Sequence, residues 1–171
     1  MNLFSFDVES IGLHGEGFAV GYVFIRDGVE QFAGYVAVEP DLAAGTDESR
    51  KWVAENVPPI VPSHNSLIDM RTAFWEKLLF AKNGGAIILS DCGWPVESNF
   101  LSACVADAPA IRQWQGPYPL IDVAALIKAN GGDPTANRER LSSELPAHHP
   151  VSDARQSARL WIENTRFGSC R

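Results

Sequence analysis

Asp7 and Glu9 stand one residue apart near the end of an apolar run, FSFDVESIGL. Side chains alternate along a strand, so the two carboxylates share a face. Two acids on one strand face can share a hard divalent cation such as Mg2+ or Mn2+, which seeks oxygen ligands. At a solvated strand end the same pair costs little and means little, so the metal reading requires more acids further along the chain. Two stretches supply them. In AIILSDCGWPVESNFL an apolar strand delivers Asp91, and Glu97 opens a helix carrying Phe100 and Leu101. In HHPVSDARQSARL, His148 lies five residues before Asp153, which enters a helix. A His, a short loop and an Asp at a helix start can set a general base beside a metal ligand. Each feature also has an ordinary counterpart: first-turn acids suit the helix dipole, and loop histidines are commonly solvated. The three together, in this order, carry more than any one alone.

These residues need elements to bring them together. NLFSFDVE reads as a first strand. GFAVGYVFIRDGVEQFAGYVAVEP reads as two more, joined at the Asp27-Gly28 turn. DESRKWVAENV and LIDMRTAFWEKLLFAKNGG have helical spacing, the second with a Gly-Gly stop. AIILS is a short buried strand, and PVESNFLSACVADAP a helix opened by Pro. YPLIDVAALIKANGG combines a strand end with a helix; NRERLSSEL and HPVSDARQSARLWIENTRF are two further helices. Ala154, Ala158 and Trp161 recur at helical spacing, and the small residues let that helix approach the first strand. The order predicts an α/β domain with a mixed five-stranded sheet, an antiparallel meander leading into parallel strands, flanked by helices. The first strand is expected at its centre.

The 171 residues fit one domain, 1–171, and 46% apolar composition is that of a globular chain. No apolar run approaches the roughly 20 residues of a membrane span, and the N-terminus lacks the basic and apolar regions of a secretory signal. Three irregularly spaced cysteines, Cys92, Cys104 and Cys170, suggest a reducing cytoplasm rather than a disulfide framework or zinc site. A formal net charge of −7 argues against a wide basic surface for duplex DNA. It leaves room for a nucleic-acid enzyme with a small metal-loaded cleft, because bound cations reverse the local field.

The motifs resemble those of the DEDD exonucleases of the ribonuclease H-like fold, in their His-containing subclass. FDVESIG resembles the first family motif, Asp-x-Glu-Thr/Ser-x-Gly. HHPVSDA resembles the third, His-x4-Asp-Ala, with His148 as the motif's His and His149 where the family commonly has Asn or Arg. PLIDVAAL resembles the Ile-Asp-Thr segment between the second and third motifs. The second motif departs from the family: ESNFL fits Asp-x-x-Phe-Leu only with Glu97 in place of Asp. Asp91 is the competing ligand. Asp69, in HNSLID, mimics the motif's His-Asn spacing but follows a proline-rich stretch, and ranks third.

The resemblance implies a metal-dependent 3′–5′ exonuclease that releases 5′-mononucleotides from single-stranded RNA or DNA 3′ ends. It implies two divalent cations, Mg2+ or Mn2+. Asp7 would bridge both; Glu9 and Asp153 would complete one site, and Glu97 would ligate or orient the second. His148 would be the general base. Ser10, Ile11, Gly12 and Leu13 would wedge against the terminal nucleotide, Gly12 permitting close approach and Ile11 or Leu13 packing on the base. Small size and net acidity resemble stand-alone bacterial exoribonucleases, which favours RNA over DNA, and the family often forms homodimers. Phe100 is expected in the core, and Trp94 either there or under a base. Arg155 and Arg159, one turn apart, read as phosphate contacts or, more commonly, a solvated face. The rival readings are a ribonuclease H-like endonuclease, which the His148–Asp153 spacing disfavours, and a degenerate member that binds nucleic acid or a protein partner.

Overall fold

Asp27 and Gly28 both take left-handed backbone, with φ of 51° and 82°. That is the geometry of a two-residue hairpin turn whose twist matches the flanking strands. The turn joins β2 (Gly17–Arg26) to β3 (Val29–Ala37), and β2 also pairs antiparallel with β1 (Asn2–Ser10). The structure, a computed structural model, describes residues 1–166. Cys170 and the end of the last predicted helix, Phe167, lie outside the described residues.

After the meander come α1 (Asp47–Asn56), capped by Thr46, and α2 (Leu67–Asn83), capped by Ser66. In each case the cap hydroxyl accepts a first-turn amide that has no helical partner. β4 (Ile87–Ser90) then pairs parallel with β1. A wide turn at Gly93–Glu97 leads into α3 (Ser98–Asp107) and the short α4 (Pro109–Arg112). β5 (Ile121–Asp122) joins β4 in parallel, followed by α5 (Val123–Ala129) and α6 (Pro150–Arg166). The sheet order is β3-β2-β1-β4-β5. The α/β class, the mixed five-stranded sheet and the central first strand are as expected. No described helix is long and apolar enough to cross a membrane.

The two faces of β1 do different things. Phe4, Phe6 and Val8 face α2 and α3, where Phe74 lies 5.3 Å from both Phe6 and Phe100, ring centre to ring centre. The opposite face carries Leu3, Ser5, Asp7 and Glu9 and is covered by α5 and α6. There Leu3 packs with Leu89, Val123, Ile127 and Leu160, and Val23 of β2 packs with Ala154 and Ala158.

One expected element is absent. NRERLSSEL is not a helix but an extended segment with a single 3-10 turn at Ser142–Glu144. In a helix, Arg140 and Glu144 would form an i,i+4 pair worth a few tenths of a kcal/mol. Instead Glu144 is buried against Arg159 of α6, which donates to both of its oxygens, at 2.6 and 3.0 Å. A shielded two-pronged pair is stronger than a surface helical one, and it unwinds the segment.

Candidate metal centre

β1 pairs with β2 along its whole length but with β4 only at Leu3–Ser5. Asp7 and Glu9 therefore lie where the β4 side of β1 is open, past the C-terminal ends of the parallel strands, the usual crevice of α/β sheets. The β1–β2 register shifts directly after Glu9, a bulge that bends the strand at its acidic end. Asp7 is paired with Gly21, where a Cβ would collide with the backbone of Pro150 and Val151. That bare glycine lets the first turn of α6 lie against the sheet beside Asp7, and the fully buried Ala154 and Ala158 continue the close approach. The small-residue spacing seen in the sequence has this meaning.

The approach gathers three ligand-bearing groups. One ligand atom each from Glu9, His148 and Asp153 lie within 4.8 Å of one another. His148 is exposed and holds a φ of 58°, unusual outside glycine. In that conformation its backbone N–H donates to Asp153 Oδ2 at 3.2 Å. Its ring meets the half-exposed Trp52 of α1 edge to face, with centres 5.4 Å apart. His149 turns away and packs on Tyr35, so His148 alone of the two faces the acids. The other oxygen of Asp153 accepts from Arg140 Nη1 at 2.5 Å.

The remaining acids enter through their fields. Burial, then the charges of Asp153, Glu9, Glu97 and Asp91, hold the Asp7 carboxyl well above its ordinary range. Burial, then Asp153 and Glu97, push Glu9 up to about 8. Burial raises Glu97 to about 7, against the pull of the backbone amides of Glu97 itself and Val8 and with a further push from Asp91 and Asp122. Acids that raise one another in this way carry more negative charge than the guanidinium at Asp153 offsets. Oxygen donors plus one imidazole, with no thiolate in the tight group, suit Mg2+ or Mn2+, so the residues present fit the divalent ions expected of them.

The sequence candidates separate as follows. Asp7, Glu9, Asp153 and His148 come together, and Glu97, buried on the turn before α3, joins their field. Asp91 stands at the margin: burial raises its carboxyl, Arg138 opposes that, and Asp122 and Asp153 add to it. Asp69 is excluded from the centre. It is exposed in the first turn of α2, where its carboxylate accepts from Ser66 Oγ at 2.7 Å.

The proposed wedge needs correction. Ile11 is 1% exposed and belongs to the core, so it cannot pack on a base; Leu13, 68% exposed, can. Gly12 has a φ of 81°, and a Cβ there would strike Ser49 of α1, so its close approach is to α1 rather than to a substrate. Ser10 Oγ donates to the Gly12 carbonyl and shapes the same loop. Phe100 is in the core as expected, and Trp94 is 67% exposed. Arg155 and Arg159 are neither free phosphate contacts nor merely solvated. Arg155 forks onto Glu30, and Arg159 onto Glu144 and Glu163.

Sequence reasoning missed Arg140 and Trp52. Arg140 was hidden by its place in a supposed helix, and Trp52 looked like one more member of an amphipathic pattern. A cavity of about 500 Å³ bordered by His14, Glu16, Arg71 and Phe100 lies on the α2/α3 side and takes in none of the five grouped residues. Geometry and charge, not hollow volume, mark the centre. No protein-family model matches this chain, and no curated protein does either.

Proposed function

We propose that the chain is a metal-dependent 3′–5′ exonuclease of the ribonuclease H-like type, acting on single-stranded nucleic acid, RNA before DNA, and releasing 5′-mononucleotides. The observation that carries this reading is the meeting of Glu9, His148 and Asp153 within 4.8 Å, beside Asp7 and Glu97, from three separated stretches of chain. A meander leading into parallel strands, with the acids at the open end of the central strand, supports this reading. Two divalent cations, when bound, supply the Lewis acidity that stabilises the attacking and leaving oxygens at phosphorus.

The chain's own residues do the rest. Asp7, Glu9, Glu97 and Asp153 present the oxygen donors. His148, exposed at the mouth, takes the proton of the attacking water, a task suited to an imidazole. Trp52 buttresses its ring. Leu13 offers the exposed apolar contact for the terminal base.

The test is digestion of 5′-labelled single-stranded RNA and matched DNA in Mn2+, Mg2+ or EDTA, with Asp7→Ala in parallel. A metal-dependent ladder shortening from the 3′ end, missing in Asp7→Ala, is expected. Binding of either substrate without cleavage in any metal would replace the enzyme by a nucleic-acid-binding module.

A further inference from the structure

We infer that Arg140 is the resident cation of this centre: a positioning residue that holds Asp153 ready and gives up part of that carboxylate to an arriving divalent ion. The inference rests on the metal-centre reading. Both oxygens of Asp153 are engaged, Oδ2 by the fixed backbone amide of His148 and Oδ1 by the guanidinium of Arg140. The amide cannot leave without moving the loop. The guanidinium sits on a long side chain and can.

The aim of Arg140 is built, not incidental. Glu144 is 2% exposed and receives Arg159 on both oxygens, and its Oε2 also accepts the Leu141 amide at 3.0 Å. Arg159 Nη2 donates to the Glu139 carbonyl at 3.0 Å, and Arg140 Nη1 to the Glu144 carbonyl at 3.0 Å. Residues 139–144 are thus tied to α6, the helix that carries Asp153. Among the described residues, Arg140 is the one Lys or Arg in ion-pair contact with Asp7, Glu9, Glu97 or Asp153. An arginine does not discharge. Its charge therefore steadies the acids while no metal is bound, and opposes a divalent ion that comes to the same carboxylate.

Two consequences have opposite signs. Removing the charge weakens the metal-free fold and tightens metal binding. A purely structural residue would weaken both. The experiment is calorimetric titration of Mn2+ into the metal-free full chain, with thermal melts in EDTA, for wild type, Arg140→Gln, Arg140→Met and Arg140→Lys. The Met variant keeps the aliphatic stem should Gln unsettle the segment. Gln and Met are expected to melt lower in EDTA and to bind Mn2+ about tenfold tighter, the scale of unit-on-double-charge repulsion a few ångströms apart even at the dielectric constant of water. Lys is expected to stay near wild type in both. Equal or weaker Mn2+ binding by the folded Gln and Met variants, with wild type binding normally, overturns the role of Arg140 and leaves the metal centre standing. No Mn2+ binding by wild type overturns the centre and this inference with it.

Discussion

Arg71 and Asp7 both place charge against the central sheet, on opposite sides of it, and their neighbours treat that charge differently. Arg71 of α2 donates to both oxygens of Asp107, at 2.6 and 2.9 Å, and to Glu16 at 2.9 Å. Arg112 adds a second cation, its Nη1 4.0 Å from Asp107 and donating to the Cys104 carbonyl, its Nη2 donating to Thr72 Oγ1. Two cations face two acids, and all three guanidinium nitrogens of Arg71 are bonded to them. Around Asp7, four acids face one another, with Arg140 reaching only Asp153. A chain able to build the first arrangement does not need the second for stability. An excess of buried acid is costly in a fold, and a cation from outside would offset that cost, which is the premise of the proposed metal centre.

The largest effect is expected from removing one acid on the unbalanced side. Asp7→Asn is expected to lower metal-dependent nuclease activity by a factor on the order of 10³ or more, as loss of a member of a concerted catalytic group does. Glu97→Gln should follow at about 10². Measured in EDTA, the same Asp7→Asn protein should melt higher than wild type, because the amide removes a repelled charge. Relief of about 1 kcal/mol corresponds to roughly 2–4 °C for a chain of this size. Lower activity together with a lower melting temperature would mean that Asp7 is structural.

The balanced side gives the opposite result. Arg71→Ala leaves Asp107 buried without its main partner, a loss on the order of 3–5 kcal/mol, read as a drop in the urea midpoint. The folded fraction should bind Mn2+ with the wild-type constant, since Arg71 belongs to the other side of the sheet. A changed Mn2+ affinity would show that the two clusters are not independent.

How far the sequence could be read follows the same division. Elements set by local pattern were legible: the first strand NLFSFDVE, the Asp27-Gly28 hairpin and the Ala154/Ala158 spacing all carry their meaning within a few residues. The grouping of Glu9, His148 and Asp153 was legible because a ligand set would demand such residue types at strand and helix ends. What escaped depends on distant partners. Arg140 and Glu144 look like a helical pair until Arg159 takes Glu144. Ile11 looks like a wedge until the turn buries it, and Gly12 looks substrate-facing until α1 is in place. No window of sequence contains those competitions.

The unbalanced acids and a balanced one also respond to pH with opposite sign. Glu9 and Glu97 are raised in the fold from 4.5 to about 8 and about 7. Between 4.5 and those values the folded protein binds protons that the unfolded chain has released, so unfolding releases protons and stability falls as pH rises. In EDTA the urea midpoint should decline from about pH 5 to about 8, by at most ~1.4 kcal/mol per pH unit for each group, and level off above. Glu144 behaves inversely: burial opposes its ionisation, but Arg159 and the Leu141 amide hold it below its ordinary value. Its contribution is full above about 4.5 and is lost only in more acid solution. Saturating Mn2+ should reverse the neutral-range slope, because the metal needs the deprotonated acids. A flat profile in EDTA would remove the electrostatic case for the centre.

The smallest expected effects test the boundary of the unbalanced side. Asp91 lies at its margin, already opposed by Arg138, and Asp91→Asn should cost less than about tenfold in activity. Asp69 lies beyond it. Its carboxylate accepts from Ser66 Oγ while its own amide donates back to that hydroxyl at 3.1 Å, so its work is to start α2. Asn keeps an acceptor for Ser66 and loses only the negative charge at a helix N-terminus, worth about 0.3–1 kcal/mol. Asp69→Asn should therefore leave nuclease activity and Mn2+ affinity unchanged and lower the melting temperature by no more than a few degrees. If Asp69→Asn instead lost activity to the extent expected of Glu97→Gln, the ligand set would have to be redrawn through the start of α2, and the turn before α3 would lose its claim to the metal.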